Sequence, residues 1–342
     1  MKRFCHEYGV TCEECGKLAI ATSPEEVPRL EQLHQRGIAN GVQGMRMLAR
    51  DEFREIEPHC DGLKALHVPS TGIVDYIAVA QKYAELIKQA GGEIVCRAKV
   101  EGLRNEGCEN VVETTAATFH ARYVINCAGL YSDKIARMAG ASIELEIIPF
   151  RGEYYELRRD RRHLVKALIY PVPDPRFPFL GVHFTRRVNG SVEAGPNALL
   201  ALRREGYTGS TPDIAEVLET LQFPGFWKMG RKYWRMGAAE QYRSWVKSAF
   251  AKALQKMIPE LQEEDLAPGG SGVRAQAVDL QGNLLDDFHF VHSPGMIHVC
   301  NVPSPAATAS LEIGREVVDM LAERFDLRTL RGQQPVTVSA QQ

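Results

Sequence analysis

The chain has 342 residues, of which 44% are hydrophobic and 25% are charged, a composition ordinary for a globular protein long enough to form two domains. The formal net charge is −2, so the chain lacks the positive field of a nucleic-acid-binding protein, which argues against nucleic acid as a partner. No apolar stretch reaches the about 18 residues of a transmembrane helix, and the first residues do not resemble a signal peptide.

The eight cysteines are scattered along the chain, a pattern typical of a reducing compartment and not of a disulfide scaffold. Cys12 and Cys15 form a C-x-x-C pair close to Cys5 and His6. A zinc site usually has a second ligand pair at a characteristic spacing, and none follows. We therefore predict free thiols, no metal and a cytoplasmic protein. A peripheral contact with the inner face of a membrane is left open.

The first part of the chain predicts alternating short strands and helices. A strand at 18–22 precedes a helix that begins at Ser23 and should stop at Gly37. Asp75 is a suitable N-cap for an amphipathic helix from Tyr76 to Gln89. Gly91 and Gly92 should end that helix, and the chain should return as a strand over 93–100.

A second αβ corner follows at 123–139. The apolar strand 123–126 leads into the small-residue turn Cys127-Ala128-Gly129 and a helix at 134–139. Such a corner commonly holds the phosphates or sugar of a cofactor, although similar corners are frequent in α/β proteins of every function.

The middle of the chain, 147–268, has a different pattern. Alternating strands at 148–157, 168–175, 179–187 and 191–194 predict an antiparallel sheet. Three helices should then begin at Pro212, Gly225 and Ala238.

The C-terminal part returns to a strand followed by a helix. The strand Met296–Asn301 precedes a helix that Ser304 or Thr308 can cap, with Pro305 in its first turn. Small residues at the positive end of a helix dipole suit an anion or an electron-rich ring, and an ordinary βα unit is the plainer alternative. Residues 270–275 match the spacing of a dinucleotide-binding loop, but no strand precedes them and no helix follows, so we reject that assignment.

Together these elements predict a mixed α/β fold in which a Rossmann-like nucleotide-binding domain is interleaved with an antiparallel-sheet substrate domain. The predicted boundaries are 1–22, 70–146 and 269–330 for the first domain, 23–69 and 147–268 for the second, and 331–342 for a disordered tail.

Several long motifs carry a resemblance to a known family. The segments are VPSTGIVDY (68–76), INCAGLYSD (125–133), PFRGEYYEL (149–157), EAGPNALLALRREGY (193–207), GVRAQAV (272–278) and VCNVPSPAATAS (299–310). They closely resemble the L-2-hydroxyglutarate oxidase/dehydrogenase family of D-amino-acid-oxidase-like flavoproteins. This resemblance implies FAD as cofactor, a small dicarboxylate as substrate, its oxidation to 2-oxoglutarate, and a quinone or oxygen as electron acceptor.

The start of the chain departs from this pattern. Members begin with a strand, a glycine-rich phosphate loop and a helix, and here Met1 falls after such a segment. The sequence therefore predicts an incomplete FAD-binding domain, and a 342-residue polypeptide that by itself neither holds FAD nor turns over substrate. Two alternatives stay open: an amine oxidase of the same fold acting on glycine or sarcosine, and a remnant without enzymatic activity.

Oxidation of a 2-hydroxy acid needs a cation for the C1 carboxylate and a base for the hydroxyl proton. The resemblance places Arg274 over the flavin, which makes it the candidate for the cation. His183 is the candidate base, with a histidine of the family's N-terminal segment as its rival. Arg151 and Arg186 are candidates for a second cation that meets the distal carboxylate.

The resemblance also implies the flavin contacts. Val100 should lie near the adenine, and Ala128 and Gly129 should line the ADP half of FAD. The start of the last helix should offer backbone N–H groups to the pyrimidine edge of the flavin, through Ser304, Pro305, Ala306, Ala307 and Thr308.

Overall fold

A computed structural model describes residues 1–174, 180–207, 211–325 and 327. The helices are α1 Lys2–Tyr8, α2 Glu26–Ala39, α3 Arg50–Ile56, α4 Tyr76–Gln89, α5 Ser132–Met138, α6 Ile214–Gln222, α7 Pro224–Trp245, α8 Lys247–Gln255 and α9 Ala306–Arg324. The strands are β1 Cys12–Glu13, β2 Lys17–Ala21, β3 Arg46–Ala49, β4 Lys64–Val68, β5 Ile73–Val74, β6 Val100–Asn105, β7 Asn110–Thr114, β8 Thr118–Ala121, β9 Val124–Asn126, β10 Leu145–Leu157, β11 Leu168–Pro171, β12 His183–Arg186, β13 Val192–Gly195, β14 Leu199–Leu200, β15 Leu266–Asp279, β16 His289–Ser293 and β17 Met296–Asn301.

The chain divides into two compact units. The larger unit comprises Lys2–Ile94 and Glu144–Leu285, and the smaller unit comprises Val95–Ile143 and the chain from Asp286 on. The fold is mixed α/β with several sheets, as the sequence predicts. The boundaries of the cofactor and substrate domains stay a prediction.

The larger unit is built on a sheet with the order β14-β10-β13-β12-β11-β2-β4-β3, in which β15 also pairs with β10. Its pairs are antiparallel apart from β2 with β11, so the predicted antiparallel sheet is confirmed over most of its width in the described residues. One face of this sheet is apolar: Leu18, Ile169 and Phe184 pack there with Phe250 and Leu254 of α8. The period-2 alternation of the strands turns the neighbouring residues to the opposite face.

The smaller unit holds two three-stranded sheets, β6-β7-β8 and β16-β17-β9, within the described residues. β9 and β17 run parallel, with His298 opposite Asn126. The chain segments that follow these two strands therefore leave the sheet at the same edge.

Several elements lie where the sequence places them, and α4 is fixed there by a local cap. The Asp75 carboxylate accepts hydrogen bonds from Ile77 N at 3.0 Å and Ala78 N at 3.1 Å, which satisfies two N–H groups at the start of α4. The strand Met296–Asn301 is confirmed with the predicted bounds, and residues 270–275 lie in β15, not in a phosphate loop.

Other predictions are wrong. Residues 93–99 are not a strand: Arg97 has φ of 58°, in the left-handed region, which interrupts an extended chain. α2 continues past Gly37 to Ala39. The helix predicted from Ala238 is instead divided between the end of α7, which continues past Gly237 to Trp245, and α8.

The start of α9 also differs from the prediction. Its N-cap residue is Pro305, which offers no side-chain acceptor, so Ser304 precedes the cap position and Thr308 lies within the first turn. The tail after residue 330 and part of the strands predicted at 168–175 and 179–187 fall outside the described residues.

The structure describes no helix long and apolar enough to cross a membrane. All eight cysteines lie in the described part of the chain and are free thiols, as predicted.

Candidate active site

His183 lies at the start of β12 on the face of the large sheet opposite the apolar core. Its ring stacks on Tyr170, with ring centroids 4.1 Å apart and an interplanar angle of 23°. Its Nδ1 lies 2.9 Å from Gly181 O, and since a carbonyl oxygen only accepts, the proton is on Nδ1. Nε2 is left with its lone pair available to accept a proton.

The surroundings of His183 keep the imidazole neutral. The pKa of His183 is lowered to about 4, mainly by burial against the sheet and also by the charge of Lys17, while the hydrogen bond to Gly181 O acts in the opposite direction. Although part of the residue stays at the surface, its ring is covered by Tyr170. At neutral pH it can therefore act as a base and not as an acid.

Three further polar side chains, those of Tyr154, Tyr170 and Lys17, share this face with His183. Tyr155 pairs with Ala194 and His183 pairs with Gly195, so Tyr154 and His183 lie on either side of Gly195. A Cβ on Gly195 would lie 3.2 Å from Tyr154 Cδ1, which shows how closely the Tyr154 ring approaches. Lys17 Nζ lies 5.2 Å from the centre of the Tyr170 ring. Burial raises the pKa of Tyr154 and of Tyr170 and lowers the pKa of Lys17.

Arg274 is brought to the same face. It pairs with Phe150 on β10, and the alternation along that strand turns positions 150, 152 and 154 to one side. Arg274 is exposed, and a Cβ on the neighbouring Gly272 would meet nothing within 4 Å. Two strands, β10 and β13, separate β15 from β12, which is roughly 14 Å across the sheet at the spacing of paired strands. Along β10, Arg274 pairs at position 150, whereas Tyr154 lies four residues further on, level with His183.

The other two predicted cations are not on this face. Arg186 forms a two-point ion pair with Glu13, with distances of 2.8 and 3.1 Å, and donates to Lys166 O at 3.2 Å. Arg151 pairs with Glu153, whose carboxylate also accepts from Ser244 Oγ at 2.6 Å and Asn197 Nδ2 at 2.9 Å. Strand alternation places both arginines on the side opposite Arg274 and His183. Their predicted role stays a prediction.

The sequence analysis missed Tyr154, Tyr170 and Lys17. The strands EYYE and LIYP each place a tyrosine at an alternating position, so period 2 could have assigned them to a face. It could not have shown which face carries His183, because that depends on the register of strands far apart in the chain.

The predicted flavin-binding residues lie in the smaller unit. Ala128 and Gly129 follow β9, and Ser304 to Thr308 follow β17 at the same edge of the sheet. Most of these residues are exposed, and Gly129 has φ of 55° with nothing within 4 Å of the position of a Cβ. Val100 begins β6 in the neighbouring sheet of the unit. Small residues, open space and the N-terminus of α9 fit a ring or phosphate that approaches the backbone closely.

Asn126 holds the turn after β9. Its Oδ1 accepts from Ala128 N at 3.0 Å, and its Nδ2 donates to Ser132 O at 2.8 Å and lies 3.2 Å from His298 Nδ1. His298 Nε2 in turn lies 2.9 Å from Ser293 Oγ. Burial lowers the pKa of His298, so a neutral ring completes a buried network that fixes the backbone of the turn.

Similarity to known proteins decides the family. Residues 1–320 match the family described as FAD dependent oxidoreductase. The chain belongs to this family. Among individual relatives, L-2-hydroxyglutarate dehydrogenase of Indibacter alkaliphilus is 51% identical over 324 residues, which cover 94% of this chain and 81% of that protein. The Escherichia coli K12 protein of the same name is 42% identical, covering 98% and 81%, and the human mitochondrial one is 40% identical, covering 95% and 74%.

Solved structures agree on the fold of these FAD-dependent oxidoreductases. Dithionite-reduced L-alpha-glycerophosphate oxidase from Mycoplasma pneumoniae with FAD bound has a TM-score of 0.72 at 22% identity, covering 91% of this chain and 74% of that one. Glycine oxidase from Bacillus cereus has a TM-score of 0.65 at 18% identity, covering 94% and 77%. The predicted fold class and the prediction of FAD as cofactor are confirmed.

Proposed function

We propose that this FAD-dependent oxidoreductase oxidises L-2-hydroxyglutarate to 2-oxoglutarate. The observation that carries the proposal is the 51% identity, over 94% of the chain, to a protein of that activity. The alternative of a glycine or sarcosine oxidase rests on a shared fold at 18% identity, which does not extend to substrate.

The face of the large sheet that carries His183 supports this chemistry. The reaction removes a hydride from C2 and a proton from its hydroxyl, and the C2–O bond becomes a carbonyl. FAD supplies the hydride acceptor when it is bound. We assign the hydroxyl proton to Nε2 of His183, which is unprotonated at neutral pH.

Arg274 is the proposed ligand of a substrate carboxylate. A guanidinium can bind a carboxylate through two parallel hydrogen bonds, which orients the carboxylate as well as attracting it. Arg274 lies on the side of β15 that faces the same way as Tyr154 and His183.

The electron acceptor and the membrane contact are further parts of the proposal. We infer that reduced flavin is reoxidised by a quinone or by oxygen, and that the enzyme works as a peripheral protein at a membrane. Oxygen consumption and the reduction of a soluble quinone analogue, measured on the same preparation, separate the two acceptors.

The proposal is tested on the flavin-loaded protein with Arg274→Met. We expect a loss of kcat/KM equivalent to about 2–5 kcal/mol, mostly through KM, with flavin still bound, because a charge-assisted pair with the substrate is removed. The matched control is Arg158→Met, which follows the end of β10 and whose side chain is 63% exposed. Glycine and sarcosine serve as alternative substrates.

An unchanged kcat/KM in Arg274→Met would remove this arginine from the site. Turnover of glycine or sarcosine in preference to L-2-hydroxyglutarate would overturn the proposed substrate class.

A further inference from the structure

The three tryptophans of the chain all lie on α7. Trp227, Trp234 and Trp245 are 61%, 61% and 78% exposed. Eighteen residues separate the first from the last, about five turns of an α-helix, so the three indoles lie on one line along the helix. Tyr242, 58% exposed, lies beside this line.

The opposite side of α7 fixes the helix to the protein. Met229 is buried, and Phe226 and Tyr233 pack with it on the cluster around Ile148 and Val278. The tryptophan line therefore points away from the body of the larger unit. Several large exposed aromatic side chains in a row are uncommon on a protein surface. They indicate a surface that a membrane or another molecule covers.

α6 extends this apolar line. Ile214, Leu218 and Leu221 occupy one side of that helix and are 69%, 50% and 39% exposed. Trp227 Nε1 donates to Leu221 O at 2.8 Å, which joins the C-terminal end of α6 to the start of α7. The exposed apolar residues of the two helices thus adjoin one another.

Basic residues lie along one side of the tryptophan line. Lys228, Lys232 and Arg235 lie about 80–140° around the helix axis from Trp227. Lys228 donates to Leu280 O at 2.8 Å, and the guanidinium carbon of Arg235 lies 5.4 Å from the centre of the Trp234 ring. The acidic residue of α7, Glu240, pairs with Arg243. α7 is therefore strongly basic in a chain whose net charge is −2, whereas α6 carries Glu216 and Glu219 and no basic residue.

We propose that α7, together with the apolar side of α6, forms a docking surface for an anionic lipid bilayer. Tryptophans favour the boundary between headgroups and acyl chains, and adjacent lysines and arginines are attracted to anionic lipids. A second copy of the chain fits less well, because a symmetric contact would bring two basic helices together. The docking surface rests on the proposed function in one respect, which is that a peripheral enzyme can pass electrons to a quinone.

The test measures binding of the flavin-loaded protein to vesicles of phosphatidylcholine with and without phosphatidylglycerol. On vesicles with phosphatidylglycerol we expect sedimentation with lipid, a blue shift of tryptophan emission and quenching by brominated lipid. All three tryptophans of the chain report on this one helix. Added salt should weaken the binding, because it screens the contribution of the basic residues.

Two variants separate the apolar and charged contributions: Trp227→Ser with Trp234→Ser, and Lys228→Gln with Lys232→Gln and Arg235→Gln. Each should lower partitioning onto anionic vesicles at least about tenfold. The matched control is Ile77→Ser with Lys88→Gln on α4, where Ile77 is 73% exposed, and it should bind as the unaltered protein does.

Oxidation of L-2-hydroxyglutarate with a soluble dye as acceptor should be retained in every variant. If the proposed function is wrong, the dye assay shows it. If the proposed docking surface is wrong, only the vesicle experiments show it. No binding of the unaltered protein to anionic vesicles would overturn the proposal. Equal binding with and without phosphatidylglycerol would also overturn it. So would a stable dimer that the tryptophan variant converts to a monomer.

Discussion

At the scale of single residues, the chemistry of His183 depends on what surrounds its ring. The stack on Tyr170 and the bond from Nδ1 to Gly181 O fix both the orientation and the tautomer. Burial then lowers the pKa of His183 to about 4. An ordinary histidine would be partly protonated just below neutral pH, whereas this one is neutral there and can accept a proton.

His183→Ala should slow reduction of the flavin by substrate about 10²–10⁴-fold if Nε2 accepts the hydroxyl proton. In the unaltered enzyme, kcat/KM should stay flat from neutral pH down to near pH 4, because the free enzyme loses its base only when His183 is protonated. Stopped-flow reduction and a pH profile measure the two effects.

His67→Ala is the matched control, since His67 lies on β4 of the same sheet and burial lowers its pKa too. It should reduce flavin at the normal rate. If kcat/KM instead falls near pH 6.5, or if His183→Ala reduces flavin at the normal rate, the base is another group.

At the scale of elements, the turn after β15 carries part of the contact with α7. Asp279 Oδ1 accepts from Gln281 N at 2.9 Å and Asn283 N at 2.8 Å, and Gly282 has φ of 78°. A Cβ on Gly282 would lie 2.5 Å from Met229 N and 2.8 Å from the carbonyl carbon of Lys228. Both the conformation and the space thus require glycine at this position.

Gly282→Ala should destabilise the protein more than Gly190→Ala. Gly190 has the same φ of 78° but nothing within 4 Å of a Cβ, so its substitution isolates the backbone strain, about 1–2 kcal/mol. Gly282→Ala adds the overlap with α7, a further 1–3 kcal/mol or so. Urea unfolding of the two variants gives the difference. Equal losses would mean that the turn shifts away from α7 at no cost.

At the scale of the whole molecule, buried neutral histidines make stability depend on pH. Burial lowers the pKa values of His67, His183, His292 and His298. Below about pH 6.5 these histidines bind protons in the unfolded chain but stay neutral in the folded chain. The free energy of unfolding therefore falls as the pH falls from about 6.5 towards about 4. Glu57 acts in the opposite direction at the acid end, because burial raises its pKa and the folded state takes up a proton first.

We expect the melting temperature to fall steadily between about pH 6.5 and 4.5, and His183→Gln to reduce that fall. For His183 the shift corresponds to a contribution on the order of 2 kcal/mol, since one pKa unit is about 1.4 kcal/mol and part of the residue is at the surface. Thermal unfolding across this pH range measures it. An identical pH dependence in His183→Gln would show that its pKa is the same in the folded and unfolded states.

Local features were readable from the sequence because their causes are local. Asp75 capped α4 as predicted, and the strand Met296–Asn301 kept its bounds, since capping and period-2 alternation depend on residues a few positions apart. The long motifs likewise indicated the family. Where a local signal indicated a break that the structure does not contain, prediction failed, as in α7, which continues past Gly237 to Trp245.

The sequence by itself determined the family, the cofactor and the residue types that could serve as base and cation. Only the tertiary structure decided which of them share a face. Arg186 lies three residues after His183, yet it is paired with Glu13, and Arg274 reaches the His183 face only through its pairing on β10. Such contacts depend on strand register and on partners more than a hundred residues away, and a one-residue change of register turns every side chain to the other face.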